Sequence, residues 1–406
     1  MKRYVIVGAS FRCYTMFVEN MVDNKNIDSV LTAVYDPNRI RCEVFKKRIG
    51  DDFKIYDDFD VMLDSEKPDG VIVATIDKVH HEYIIRALNK GYDVVTEKPI
   101  TTTYKKCLAI RKAEKKSGKK VTVTFNCRFM PNFEKMKEFI KDGAIGKVLS
   151  VNYDYRLNHW HGGDYFKRWH RMMDNSGGML VHKSTHHFDV VTWLLEDEPT
   201  LVSAFGNKMY FGDVKKSFAP RCKDCPKQKE CLAYESQTAE LDEELYFKAE
   251  SQDGYVRDKC CFLPDSDIYD NMVVNVKYSK GTLLTYSLNL FSPVEGFRIA
   301  ITGEKGMLVY DAFKEYTEEY KDKYVFEYSN EQNKKELITA DKTSGRHNGA
   351  DPLLIDMVFG KDIPDPLGKQ ADSFAGMTSA LIGISANDSI SSGKIINLTK
   401  RLNKLR

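Results

Sequence analysis

Apolar runs and amphipathic segments alternate along the first 125 residues. RYVIVG (3–8) is a short β-branched run, and an amphipathic segment follows around Met16 to Val22. VLTAVYD (30–36), YDVVTEKP (92–99) and KVTVTF (120–125) are further strand-like runs. DGVIVAT (69–75) is apolar throughout its centre, the pattern of a strand buried on both faces of a parallel sheet. Between these runs, PNRIRCEVFKKRIG (37–50), KVHHEYIIRALNKG (78–91) and the stretch 103–117 have helical spacing. The first two close on glycine, a helix stop. Strands alternating with helices predict right-handed crossovers and a doubly wound α/β sheet.

After residue 125 the rhythm changes. FMPNFEKMKEFIKDGAIG reads as one helix, VLSVNYDYRL (148–157) as a strand, and GGMLVHKSTHHFDVVTWLL (177–195) as a buried helix. From residue 200 strand runs dominate (TLVSAFGNKMYF, NMVVNVKYS, GTLLTYSLNLFS and FRIAITGEKGMLVYDAF), which predicts an antiparallel or mixed sheet. Residues 213–267 are polar, cysteine-bearing and irregular, and read as an insert. Residues 314–345 are charged and read as a solvated hairpin region. The expected division falls after residue 125, into an α/β domain over 1–125 and a second domain over 126–406.

Composition narrows the class. Of the 406 residues, 42% are hydrophobic and 30% charged, the balance of a globular chain. The formal net charge of +2 gives no reason to expect a nucleic acid or an anionic membrane as partner. The first apolar run is too short for a signal-peptide core, and no stretch approaches the length of a membrane span. Nine cysteines without a secretory signal predict a reducing cytoplasm, with thiols free or metal-bound.

The end of the first strand reads Gly8-Ala9-Ser10-Phe11-Arg12-Cys13, which keeps only the first glycine of the G-x-G-x-x-G phosphate turn. Asp36 closes the second strand, where a carboxylate can accept hydrogen bonds from an adenosine ribose. That charge favours NAD(H) over NADP(H), with Arg39 nearby to soften it. Ala74 and Thr75 end the fourth run, beside a nicotinamide. Glu97-Lys98-Pro99 follows the fifth strand and puts Lys98 at the ligand crevice. Ser10, Phe11, Arg12, His80 and Glu97 complete the expected cofactor wall.

GYDVVTEKPITTT, VIVATIDKVHHEYIIRAL, VTFNCRF and the glycine pair Gly177-Gly178 ahead of a histidine helix resemble the Gfo/Idh/MocA oxidoreductase family over almost the whole chain. The resemblance implies an N-terminal Rossmann doubly wound parallel sheet and a C-terminal α+β domain with a large open, mostly antiparallel sheet. It implies an NAD(P)-dependent oxidoreductase for a secondary hydroxyl of a sugar, cyclitol or glycoside, and a homo-dimer or homo-tetramer. Lys98 matches the family lysine that contacts hydroxyl and nicotinamide, His186 the catalytic histidine, and Asp189 the acid three residues later. Where the family usually has an aspartate, this chain has His182.

On one helix, His182 and His186 would share a face with Asp189, and Lys183 would pair with His187. Histidine suits the removal of a hydroxyl proton, because its pKa of ~6.5 lies near working pH. His186 is the expected base, Lys98 its electrostatic and relay partner, and His182 a positioner of substrate. By spacing alone the same helix also reads as core with satisfied histidines, or as an H-x-x-x-H metal pair. HWHGGDYFKRWHR (159–171) offers Tyr165, Arg168 and Trp169 as sugar contacts beside Lys183, and the resemblance adds His347. Two other outcomes stay open: redox-neutral glycoside processing on a recycled cofactor, and a sensor without turnover. In the insert, Cys222, Cys225 and Cys231 with Cys260 read as a structural zinc site, with free thiols or an iron–sulfur cluster as rivals.

Overall fold

The computed structural model describes residues 1–234, 240–314, 316–361 and 363–406, with the side chain at 346 also left aside. Residues 235–239 of the insert and residue 315 of the hairpin region therefore lie outside the described residues.

The first sheet is built from β1 (Lys2–Val7), β2 (Ser29–Tyr35), β3 (Lys54–Tyr56), β4 (Gly70–Val73), β5 (Asp93–Thr96) and β6 (Val121–Val123). Its order is 3-2-1-4-5-6, all parallel. Every residue of β4 is buried, as its unbroken apolar run requires. The order reverses between β1 and β4, so the crevice for a ligand opens beyond their carboxyl ends. Gly8 stands there with φ +99°, and a Cβ at that position would come within 2.6 Å of the Ala74 carbonyl oxygen. Only glycine lets β1 and β4 approach so closely at this turn.

The second sheet comprises β7 (Val148–Asn158), β8 (Pro199–Asn207), β9 (Asn271–Tyr278), β10 (Leu283–Ser292), β11 (Gly296–Gly303), β12 (Gly306–Asp311), β13 (Lys323–Asn330) and β14 (Lys335–Asp341). All its pairings are antiparallel except β7 with β10. The charged stretch after 314 forms the β13–β14 hairpin at one edge. The chain then returns to the first sheet: β15 (Ala371–Asp372) pairs with β6, before β16 (Ile396–Asn397) closes the second sheet beside β8. Burial alternates strictly along β9, so one face packs inward and the other is bare.

GGMLVHKSTHHFDVVTWLL is two helices, not one. Met179–His182 ends at Lys183-Ser184, and Thr185–Leu195 begins a new helix. The His182 carbonyl, which a continuous helix would satisfy with the His186 N–H, instead accepts from Lys98 Nζ at 2.9 Å. The break also corrects the expected face for Asp189. Its carboxylate turns into the core, where Arg128 donates to both oxygens at 2.7 Å and Ser379 donates at 3.2 Å. Burial pushes the Asp189 carboxyl up, and Arg128 opposes that push. Breaking such a pair strands the remaining charge. Asp189→Ala is therefore expected to cost about 3–5 kcal/mol of stability. Urea unfolding measures it, and a loss near zero would refute a structural ion pair here.

Candidate active site

A cleft of about 750 Å³ lies between the two sheets. The turns after β1, β2, β4 and β5 form one wall. Helix His159–Lys167, the turn that follows it and helix Met179–His182 form the other. Of the expected cofactor residues, Gly8, Ser10, Phe11, Arg12, Asp36, Ala74, Thr75, His80, Glu97 and Lys98 line it. Of the expected substrate residues, Tyr165, Arg168, Trp169, His182, Lys183, His186 and His347 line it too.

Arg39 does not. It points outward to Asp57 at 2.6 Å and Glu43 at 3.3 Å. The cation beside Asp36 is Arg41, two residues on, at 3.9 Å from Asp36 and 2.7 Å from Asp253. Asp36 itself accepts from the Ala9 and Asn38 N–H groups, each at 2.8 Å. Ser10 caps the following helix by accepting from the Cys13 N–H at 3.1 Å. Arg12 pairs with Glu97 at 3.0 Å and Asp351 at 3.2 Å. His347 lies beside the same Asp351, at 2.9 Å. His80 spans the Thr75 and Pro99 carbonyls at 3.0 and 2.9 Å, fixing the turns after β4 and β5 against each other.

The chemistry gathers around Lys98. Its ammonium is buried against Asp77, Glu97 and the His182 carbonyl. Burial pulls the Lys98 pKa down to about 8, against the pull of Asp77 and Glu97. Asp77 is buried too, which pushes its carboxyl up to about 7 despite His80 and Lys98. His182 Nδ1 lies 2.6 Å from Asp77 Oδ2, within hydrogen-bond distance. Burial and then Lys98 lower the His182 pKa well below its ordinary value, and the same holds for His186. A carboxyl group from position 77 thus stands beside His182.

The other polar residues of the histidine stretch divide. Lys183 Nζ lies 5.4 Å from the centre of the Tyr155 ring, on the cleft side. His187 is core: its Nδ1 meets the Tyr286 hydroxyl at 2.7 Å and its ring stacks on Tyr155. Around His182 lie the rings of Tyr165 at 5.6 Å, Trp169 at 5.5 Å and His170 at 4.3 Å. Several buried polar atoms of this cleft have no partner among the described residues: Arg12 Nη2, Arg168 Nε, His170 Nδ1, His186 Nδ1 and Arg257 Nε. Buried polar groups are rarely left so, and a cluster of them in one cleft marks a polar ligand's place.

Two sets of lining residues were not legible in the sequence. Asp77 had a signal, since it follows Thr75 at the carboxyl end of the fourth strand. Tyr246, Asp253, Tyr255 and Arg257 had none, because they come from the insert. Among the described residues no group of three or more His, Cys, Asp or Glu is arranged to hold a metal ion, so His182 and His186 gain no third ligand. No helix among the described residues is long and apolar enough to cross a membrane.

Comparison with known proteins agrees with this architecture. The family model described as "Oxidoreductase family, NAD-binding Rossmann fold" matches residues 2–125. Its companion, "Oxidoreductase family, C-terminal alpha/beta domain", matches residues 137–398. The YteT protein of Bacillus subtilis (strain 168) is 36% identical over 96% of this chain and 95% of its own length. The 2,7-anhydro-N-acetylneuraminate hydratase of Escherichia coli (strain K12) is 32% identical over 52% of this chain and 54% of that protein. The inositol 2-dehydrogenase of Rhizobium meliloti (strain 1021) is 31% identical over 44% of this chain and 51% of that protein. A nicotinamide-type Rossmann crevice, a facing open sheet and both family models give one conclusion: the chain belongs to the Gfo/Idh/MocA family of oxidoreductases.

Proposed function

We propose that the chain transfers a hydride between a nicotinamide cofactor and the carbon of a secondary hydroxyl on a sugar, cyclitol or glycoside. The observation that carries this reading is the Asp77–His182–Lys98 cluster at the carboxyl ends of β4 and β5. The cleft suits the cofactor. Gly8 allows the close backbone approach, and the unpartnered nitrogens of Arg12 and Arg257 offer donors to phosphate. Asp36 at the end of β2 favours NAD(H), since a 2′-phosphate would meet its charge. Bound there, the nicotinamide would supply the hydride acceptor.

The Asp77 contact favours giving His182, rather than His186, the part of the base. His182 gives its Nδ1–H to Asp77, which leaves Nε2 as the basic nitrogen for the substrate proton. Lys98, held by the His182 carbonyl, steadies the developing alkoxide. His186, with its Nδ1 unpaired, hydrogen-bonds a neighbouring hydroxyl. Tyr165 and Trp169 give the sugar ring a flat surface. The bare face of the second sheet, with Phe205, Val273 and Leu283 exposed, fits a homo-oligomer.

A second reading is favoured by how the insert covers the cofactor side. Tyr246 Oη accepts from the Phe11 N–H at 2.9 Å, Asn38 donates to the Ala249 carbonyl at 2.9 Å, and Arg41 pairs with Asp253 at 2.7 Å. Such a clamp suits a cofactor that stays bound and is reduced and reoxidised in one cycle. The hydratase relative points the same way.

A panel of polyols, sugars and glycosides assayed with NAD⁺ and NADP⁺ separates the readings. Net reduced nicotinamide, greater with NAD⁺, is the expected result. Converted substrate without reduced nicotinamide would favour the retained cofactor. Binding without turnover, unchanged in Lys98→Ala, would make the chain a sensor and overturn both.

With a turned-over substrate, pH tests the base. Asp77 must be ionised, which holds above about 7, and Lys98 protonated, which holds below about 8. The kcat/KM profile for oxidation is therefore a narrow bell between those limbs. Asp77→Asn is expected to lower kcat by about 10²–10⁴ and abolish the acid limb. Its basic limb should also move down, because Lys98 loses the carboxylate that favours its charge. A variant with the parent's bell and rate would remove His182–Asp77 from the mechanism.

A further inference from the structure

The insert has a second cavity, of about 290 Å³, away from the cleft. Five of the nine cysteines line it: Cys222, Cys225, Cys231, Cys260 and Cys261. All five are free thiols. Residues 213–267 have little regular structure among the described residues; Cys260 and Cys261 pack into the core with Ala233 and Phe262, whereas Cys222, Cys225 and Cys231 are only partly buried.

The backbone that carries them is nonetheless ordered by specific bonds. The Cys225 N–H donates to the Cys222 carbonyl at 3.1 Å, closing a C-x-x-C turn. Gln228 Nε2 reaches back to the Cys222 and Lys223 carbonyls at 2.6 and 3.0 Å and fixes that turn. The Cys231 N–H donates to the Gln228 carbonyl at 3.2 Å, which brings the third thiol round. The fourth side comes from a distant segment. Cys222 N–H donates to the Asp258 carbonyl at 2.7 Å and Cys260 N–H to the Pro220 carbonyl at 2.9 Å, around the Arg221–Lys259 bridge. Cys222 and Cys260 are thereby diagonal neighbours on paired segments. Lys167 is fully buried at the same cavity and Lys216 lines it too. A tetrathiolate zinc centre carries net negative charge, which these cations complement.

We propose that this cavity is a thiolate metal site that takes one Zn²⁺ on Cys222, Cys225, Cys231 and one sulfur of the Cys260–Cys261 pair. Four sulfurs at about 2.3 Å satisfy zinc's tetrahedral preference. Cys260 and Cys261 share a side-chain hydrogen bond, but among the described residues no three ligands are yet drawn together for an ion. Ligation draws them in as their protons leave. The chain between Cys231 and Cys260 carries Tyr246, Asp253, Tyr255 and Arg257 to the cofactor cleft. The metal would thus tie both ends of the segment that clamps the cofactor side.

Metal analysis of the full-length, untagged protein, purified without chelator, tests the site with no substrate needed. One zinc per chain is expected, lost in Cys222→Ser/Cys225→Ser and kept in Cys107→Ser, whose thiol is buried in the Rossmann half. If the double variant fails to fold, mercurial titration of the parent replaces it. Zinc then has to be released in step with thiol modification. Cobalt substitution should give the visible bands of tetrahedral thiolate coordination. Chelated protein should bind NAD⁺ more weakly than zinc-loaded protein. Iron with sulfide in place of zinc would overturn the zinc assignment. The absence of stoichiometric metal, or zinc indifferent to these thiols, would overturn the site.

Discussion

The contact on which the active cleft depends is the hydrogen bond from Lys98 Nζ to the His182 carbonyl. It joins the turn after β5 to a helix end packed on the second sheet. It also satisfies the carbonyl that the helix break leaves open. A broken helix inside a protein needs such a partner, because an unpaired buried carbonyl is costly. The ammonium in turn needs compensation, and Asp77 and Glu97 provide it. Each element of the cleft is thus held by the electrostatic need of another.

The same nineteen-residue stretch contains buried ionisable groups with opposite fates. Asp189 meets Arg128 in a two-pronged ion pair and holds helices together. His187 is bonded to Tyr286 and stacked on Tyr155. These groups are fully engaged and are part of the core. His182 and His186 keep basic ring nitrogens at the cleft, and burial beside Lys98 and Lys183 keeps both rings neutral. A neutral imidazole next to a carboxylate is ready to take a proton, whereas a saturated ion pair is not.

The glycine-poor phosphate turn also has a local explanation. Ser10 and Cys13 replace glycines, yet Ser10 supplies the helix cap. Gly8, the one position where β1 presses on β4, is retained. Tyr246 of the insert reaches the Phe11 N–H at the start of that helix. Part of the cofactor enclosure has passed from the turn itself to a segment more than 200 residues away in sequence.

Period and punctuation in the sequence determined the two-sheet plan. Apolar runs alternating with helices called for a parallel sheet, and strand runs without crossover helices from residue 200 called for an antiparallel or mixed one. The location of Lys98 and Asp36 at strand ends followed from the same pattern. Tertiary structure alone decided which cation faces Asp36, since Arg39 and Arg41 differ only by their turn on one helix. It alone decided that Asp189 looks inward and that Asp77 stands behind His182. Those outcomes depend on a helix break and on partners distant in sequence, 105 residues away for His182 and Asp77 and 190 for Asp189 and Ser379. A local pattern fixes which face of an element is apolar, but a buried charge is assigned by whichever distant partner can offset its desolvation.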